Sequence, residues 1–283
     1  MKIGFNLLLW TTDLKPSHRP LLRKIKAAGY DGVEVPVFGG TPADYQALGG
    51  MLDEIGLERT AVSVIPNAER NPLAGDKATR AAAVQYLKWI ADCCDALDAR
   101  IVCGPLHSTL GRFSGSGPTK EERKRAVAVH RAVGDHYALR NVRVALEAVN
   151  RFECYFLTCM DELADYLDEV DHPHITGMYD TFHSNIEEHD QITAIGRARR
   201  HISHVHISEN NRGTPGKGHI EWPRVFAALR KIRYDGWLTI EAFGRALPEL
   251  AAATRVWRDF FPTPESVYRD GIKHIRRGWS AAG

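Results

Sequence analysis

The sequence predicts an α/β protein, a single (β/α)8 TIM barrel spanning residues 1–283. Short apolar, β-branched runs alternate with stretches of helical periodicity from end to end. That alternation implies a parallel sheet with right-handed crossovers. Eight such units, of about 30–35 residues each, fit a barrel whose typical size is roughly 250 residues. The rival is a doubly wound open sheet, which carries a Gly-rich phosphate turn after its first strand. Here the first strand runs into TTDLKPSH instead.

The units follow in order. Lys2–Leu9 is strand one, and the helix Arg19–Ala28 ends at Gly29, a residue suited to a left-handed cap. Gly32–Val37 is strand two. Thr41 caps a helix to about Ile55, with Gly56 after it. Strand three, Arg59–Ile65, is rich in β-branched residues. Asp76–Leu97 is a long helix, and strand four, Arg100–Cys103, breaks at Gly104-Pro105. After a Gly/Ser-rich loop, Thr119 opens a helix with Glu121 and Glu122 in its first turn. Strands five to eight are Val142–Glu147, His174–Tyr179, Ser203–Ile207 and Trp237–Ile240. The helices between them are expected at about Thr158–Val170, Glu187–Arg199 and Trp222–Ile232. From about 248 the chain reads as a C-terminal helical extension, broken at Phe261-Pro262.

Composition narrows the function. Hydrophobic residues are 44% and charged residues 25%, ordinary for a soluble globular protein. A net charge of +2 gives no electrostatic case for a nucleic-acid partner. No stretch approaches the roughly 20 apolar residues of a membrane span. The run in MKIGFNLLLW is short for a signal peptide and lacks a cleavage site. Five cysteines, at positions 93, 94, 103, 154 and 159, match no zinc spacing and read as reduced structural thiols. A cytoplasmic location is expected.

Four residues carry the chemistry. Glu147 in RVALEAVNRFE, Asp180 in ITGMYDTFHSNIEE, His206 in ISHVHISENNRG and Glu241 in WLTIEAF each end a predicted strand, five to eight in turn. In a closed barrel these ends adjoin on one rim, where barrel enzymes carry their catalytic residues. One polar residue at a strand end is commonplace. Four in succession, all of metal-ligand type, are not. Three carboxylates and one imidazole suit Mn²⁺, Mg²⁺ or Co²⁺ better than a thiolate-seeking ion. Glu153, His183 and Arg212 follow close behind in the same segments. Each alone reads as an ordinary loop residue. With 13 histidines in the chain, His107, His189, His204 and His219 read as structural. Phe5 and Trp10 are taken as walls of the pocket.

The segments EAVNRFE, DTFHSNIEE, HVHISENNRGTPGKGHIEW and TIEAF resemble the D-tagatose 3-epimerase and D-allulose 3-epimerase family. These are ketose 3-epimerases of the xylose isomerase-like barrel superfamily. The resemblance covers about Leu146 to Phe243, with weaker signatures at GVEVPVF around Glu34 and at GPL. It implies that Glu147, Asp180, His206 and Glu241 bind one divalent ion per subunit, most often Mn²⁺, with Mg²⁺ and Co²⁺ as alternatives. It also implies that Glu147 and Glu241 form an acid/base pair, and that Glu153, His183 and Arg212 hold the ketose near O1, O2 and O3. A homodimer or homotetramer is implied as well.

The chemistry is coherent. Inverting C3 of a ketose removes a proton from one face and returns one to the other, through a cis-enediolate. A cation stabilises the developing charge, and two opposed carboxylates exchange acid and base roles. An aldose–ketose isomerase on the same metal site is the alternative. A metal-dependent dehydratase and a non-catalytic sugar-binding protein stand behind it. A phosphorylated sugar is disfavoured, because no anion-binding nest is evident beside Arg212 or Lys217.

Overall fold

β-branched runs form the strands and capped amphipathic runs form the helices between them. The computed structural model describes residues 1–283. The strands are β1 (Lys2–Asn6), β2 (Gly32–Pro36), β3 (Glu58–Val62), β4 (Ile101–Gly104), β5 (Arg143–Glu147), β6 (Ile175–Asp180), β7 (Ile202–Ile207) and β8 (Trp237–Ile240). They pair in parallel and in sequence order, and β8 returns to β1 to close the barrel. The helices are α1 (Arg19–Ala27), α2 (Pro42–Ile55), α3 (Lys77–Leu97), α4 (Lys120–Leu139), α5 (Met160–Val170), α6 (Thr181–Glu187), α7 (Gln191–Arg197), α8 (Trp222–Lys231), α9 (Pro248–Thr254) and α10 (Pro264–Ala281). None is long and apolar enough to cross a membrane.

Local chemistry sets the helix ends. Thr41 and Asp44 form a reciprocal capping box at the start of α2, which stops at Gly56 in a left-handed conformation. Thr119 and Glu122 form the same box on α4. Alternation sets the two faces of the strands. Val33 and Val35 on β2 join the main apolar core, while Glu34 between them bonds to β1, β3 and β7 across the barrel interior. A smaller apolar cluster that includes Val62, Cys103, Ala145 and Met178 contacts this interior. All five cysteines are free.

Three elements differ from expectation. β1 stops at Asn6, because the Asn6 amide oxygen accepts from Leu8 N–H (2.9 Å) and turns residues 7–9 into a 3-10 helix. β3 covers Glu58–Val62 rather than Arg59–Ile65. The helix expected over 187–199 is the shorter α7, capped by Asp190, and an unexpected helix, α6, capped by Asp180, precedes it. The expected C-terminal extension resolves into α9 and α10. α10 packs beside α8, with Trp222 and His274 ring centroids 5.2 Å apart. On its other side Tyr30 Oη donates to the Tyr268 carbonyl (2.7 Å). α10 therefore completes the outer ring of helices.

Candidate active site

Strand register gathers the four strand-end residues. Asp180 lies opposite His206, and His206 opposite Thr239, two residues before Glu241. Glu147 lies opposite Met178 on β6. A register shift between Gly177 and Met178 sets this stagger. All four residues are buried, none more than 5% exposed. Ligand atoms of Asp180, His206 and Glu241 lie within 4.8 Å of one another, and so do those of Glu147, Asp180 and His183. Asp180 belongs to both groups and joins them.

Two orphaned atoms test the fit to a cation. Asp180 Oδ1 accepts from His183 N–H (2.8 Å) and caps α6, but Oδ2 is buried with no hydrogen-bond partner. His206 Nε2 is bonded to Glu34 Oε1 (2.7 Å), while its Nδ1 has no partner. That Nδ1 lies 3.6 Å from Asp180 Oδ2 and 3.4 Å from Glu241 Oε1. Buried polar atoms are rarely left unpaired. These two converge on carboxylate oxygens, as an oxygen-preferring divalent ion with one imidazole ligand requires.

Electrostatics agree with that fit. Burial raises the Glu147 pKa well above the ordinary carboxylate range, and the charges of Asp180 and Glu241 raise it further. A divalent cation offsets that excess of negative charge. Burial acts on Glu241 in the same direction, but His206 and Arg212 outweigh it and lower its pKa. Burial and the Arg212 charge push His183 down to about 3, so its ring is neutral. Burial disfavours the His206 imidazolium, yet Glu34 and Glu241 outweigh burial and raise its pKa.

The remaining expected residues divide. His183 stands beside Glu147, with Nε2 3.4 Å from Oε1. Its Nδ1 meets the Asn150 side-chain amide (2.9 Å), which also donates to Glu153 Oε1 (2.8 Å). Arg212 donates to Glu241 Oε2 (2.5 Å) and Ser208 Oγ (3.1 Å), and its Nη2 lies 3.0 Å from His183 Nε2. Its guanidinium sits 3.7 Å from the Phe182 ring centroid and 5.0 Å from that of Phe243. The structure thus brings Glu153, His183 and Arg212 to the four rim residues. Phe5 does not face this site, and Trp10 packs on Phe5 and Tyr268. Phe5 is fully buried against Trp10, Tyr30 and Tyr268. On β1 it faces away from the interior, and Asn6 is the residue that faces in, donating to Glu34 (3.0 Å) and Glu241 (3.3 Å).

Sequence reasoning missed the layer beneath the rim. Glu34 is fully buried and accepts from Asn6, His206, Thr60 Oγ1 (2.8 Å) and Cys103 Sγ (3.3 Å). Burial opposes its ionisation, but His206 and His204 outweigh burial and lower its pKa. His204 Nε2 lies 2.9 Å from Glu34 Oε2, though not aligned for a hydrogen bond. His107 Nε2 bonds to the Glu147 carbonyl (2.8 Å), beneath the carboxylate. A signal for Glu34 and His204 was present. An acid inside the apolar run GVEVP needs partners, and His-Val-His on a strand points both rings the same way.

Known proteins place the chain. Residues 22–278 match the family model described as xylose isomerase-like TIM barrel. A ketose 3-epimerase from Arthrobacter globiformis is 30% identical over 279 residues, 98% of this chain and 96% of that protein. The D-allulose 3-epimerase of Methylomonas sp., solved in complex with D-allulose, superposes with a TM-score of 0.89 at 28% identity, over 98% of this chain and 96% of that one. The D-psicose 3-epimerase of Clostridium cellulolyticum H10, solved with D-tagatose, gives a TM-score of 0.89 at 26% identity, over 100% and 99%. The chain belongs to the xylose isomerase-like TIM barrel family and, within it, to the ketose 3-epimerases, which are isomerase-class enzymes.

Proposed function

We propose that this protein inverts C3 of a free ketose of the D-tagatose, D-allulose/D-fructose or ketopentose type, with one divalent ion per subunit. The convergence of Glu147 and Glu241 with the orphaned Asp180 Oδ2 and His206 Nδ1 carries the reading. Glu147, Asp180, His206 and Glu241 would hold the ion, Mn²⁺ by preference, with Mg²⁺ or Co²⁺ as substitutes. When bound, it supplies positive charge against the negative charge that builds on the ketose as the C3 proton leaves.

The side chains do the rest. Glu147 and Glu241 rise from β5 and β8, three strands apart around the rim. One takes the C3 proton from its face of the sugar and the other gives a proton from the opposite face. The roles reverse in the back reaction. Neutral His183 and cationic Arg212 orient the sugar and donate to the developing oxyanion, and Glu153 holds a hydroxyl. Burial of all four rim residues keeps bulk water from competing for the proton. Relatives solved with D-allulose and with D-tagatose support an unphosphorylated sugar. A homodimer or homotetramer goes with the proposal. Exposed Phe152 and Trp257 offer apolar surface for it.

The test is metal-stripped protein reloaded with Mn²⁺, Mg²⁺ or Co²⁺ and assayed across ketohexoses and ketopentoses. The proposal expects C3 epimers, and only after reloading. Aldose products would favour an aldose–ketose isomerase.

A further inference from the structure

The β7–α8 loop delivers Arg212, and a carboxylate with no part in the proton transfers shapes that loop. Glu209 is fully buried, two residues beyond β7. Its Oε1 accepts from the N–H groups of Asn210 (3.1 Å) and Ile220 (3.2 Å). Its Oε2 accepts from Gly216 N–H (2.8 Å) and the Trp222 indole (3.0 Å). A buried carboxylate is costly unless donors saturate it. Here the donors come from the start, middle and end of one loop, so the carboxylate draws the loop closed around itself. The fit is close: a Cβ on Gly218 would fall 2.5 Å from Glu209 Oε1 and 2.0 Å from Asn210 Oδ1.

Arg212 sits at the turn of this loop with φ 62°, a left-handed backbone that disfavours an arginine. Its N–H donates to the Glu209 carbonyl (2.8 Å) and its carbonyl accepts from Phe243 N–H (2.9 Å), beyond β8. The loop is thereby tied at one end to Glu209 and at the other to the strand end that carries Glu241.

We propose that Glu209 is a positioning residue: its buried carboxylate locks the β7–α8 loop so that Arg212 is held in its left-handed conformation, with the guanidinium over Glu241 and His183. This rests on the reading of Arg212 as a group that contacts the ketose. Glu209 touches neither sugar nor ion and acts through Arg212 alone.

Glu209→Gln tests it, since the amide keeps the shape but turns an NH₂ toward two of the donors. Misplacing Arg212 lowers kcat/KM by about 10- to 100-fold, while calorimetric Mn²⁺ affinity stays within about twofold. In an Arg212→Met background, Glu209→Gln adds less than about a twofold loss. Wild-type turnover by a folded Glu209→Gln protein overturns the proposal, as does an equal loss in both backgrounds. If Glu209→Gln fails to fold, Trp222→Phe removes one donor only and must repeat the pattern at smaller amplitude; additivity with Arg212→Met there overturns it. A readout without substrate separates this proposal from the function. The ¹⁵N Nε–H resonance of buried Arg212 should be sharp and slow to exchange in the wild type and should broaden in Glu209→Gln. An unchanged resonance overturns the positioning role, even where the wild type epimerises no ketose.

Discussion

Glu147 is buried beside Asp180 and Glu241 and meets only a neutral histidine at 3.4 Å, whereas Glu241 lies 2.5 Å from Arg212. Their pKa values are therefore driven in opposite directions, up for Glu147 and down for Glu241. Opposed environments for two like groups are what the proposed acid/base pair calls for. Glu147→Gln and Glu241→Gln should each lower kcat by about 10²–10⁴-fold with an unchanged circular dichroism spectrum. A turnover assay on the two purified variants checks this. Glu34 makes a separate prediction. It fixes His206 through Nε2 and leaves Nδ1 facing Asp180 and Glu241. Glu34→Leu removes that support and should weaken Mn²⁺ binding by about 10- to 100-fold. Glu34→Gln, which keeps an acceptor oxygen, should lose less. Chelator competition measures both.

At the level of elements, capping chemistry was readable in advance. Thr119 with Glu121 and Glu122 in the first turn announces α4, and the structure has both halves of the Thr119–Glu122 box. Thr119→Ala should cost about 1 kcal/mol, read as a lower denaturant midpoint. Asp180 shows where such reading stops. Its segment ends a strand and offers a metal ligand, but the same carboxylate also begins a helix, and nothing local separates the three duties. α6 was therefore missed, although Asp180, its cap, was read as a strand end and candidate ligand. Phe5 failed for a related reason. Its neighbours Gly4 and Asn6 have no apolar side chain, so periodicity alone does not say which face of β1 looks inward. Only the bonds of Asn6 to Glu34 and Glu241 decide it.

At the scale of the whole molecule, barrel closure accounts for what sequence could and could not show. Each of β5 to β8 ends in a recognisable residue, so the upper layer of the site was legible segment by segment. The lower layer joins β1, β2, β4 and β7 through Asn6, Glu34, Cys103 and His204, partners more than a hundred residues apart in several pairs. No local pattern encodes such contacts. Packing of α5 on α4 also buries His130 against Tyr166, and burial lowers its pKa to about 4 from an ordinary 6.5. Between those values the unfolded chain binds more protons than the folded one, so stability falls as pH drops from about 6.5 to about 4. His130→Gln should flatten that slope in denaturant melts across the interval. The central claim, proton transfer at C3 between Glu147 and Glu241, is tested most directly by NMR of a ketose incubated with the Mn²⁺-loaded protein in D₂O. Deuterium should appear at C3 of substrate and epimer with the wild type, and deuterated epimer should form about 10²–10⁴-fold more slowly with Glu147→Gln or Glu241→Gln. Deuterium at C1 alone, or deuterated epimer formed at the wild-type rate by either variant, would contradict it.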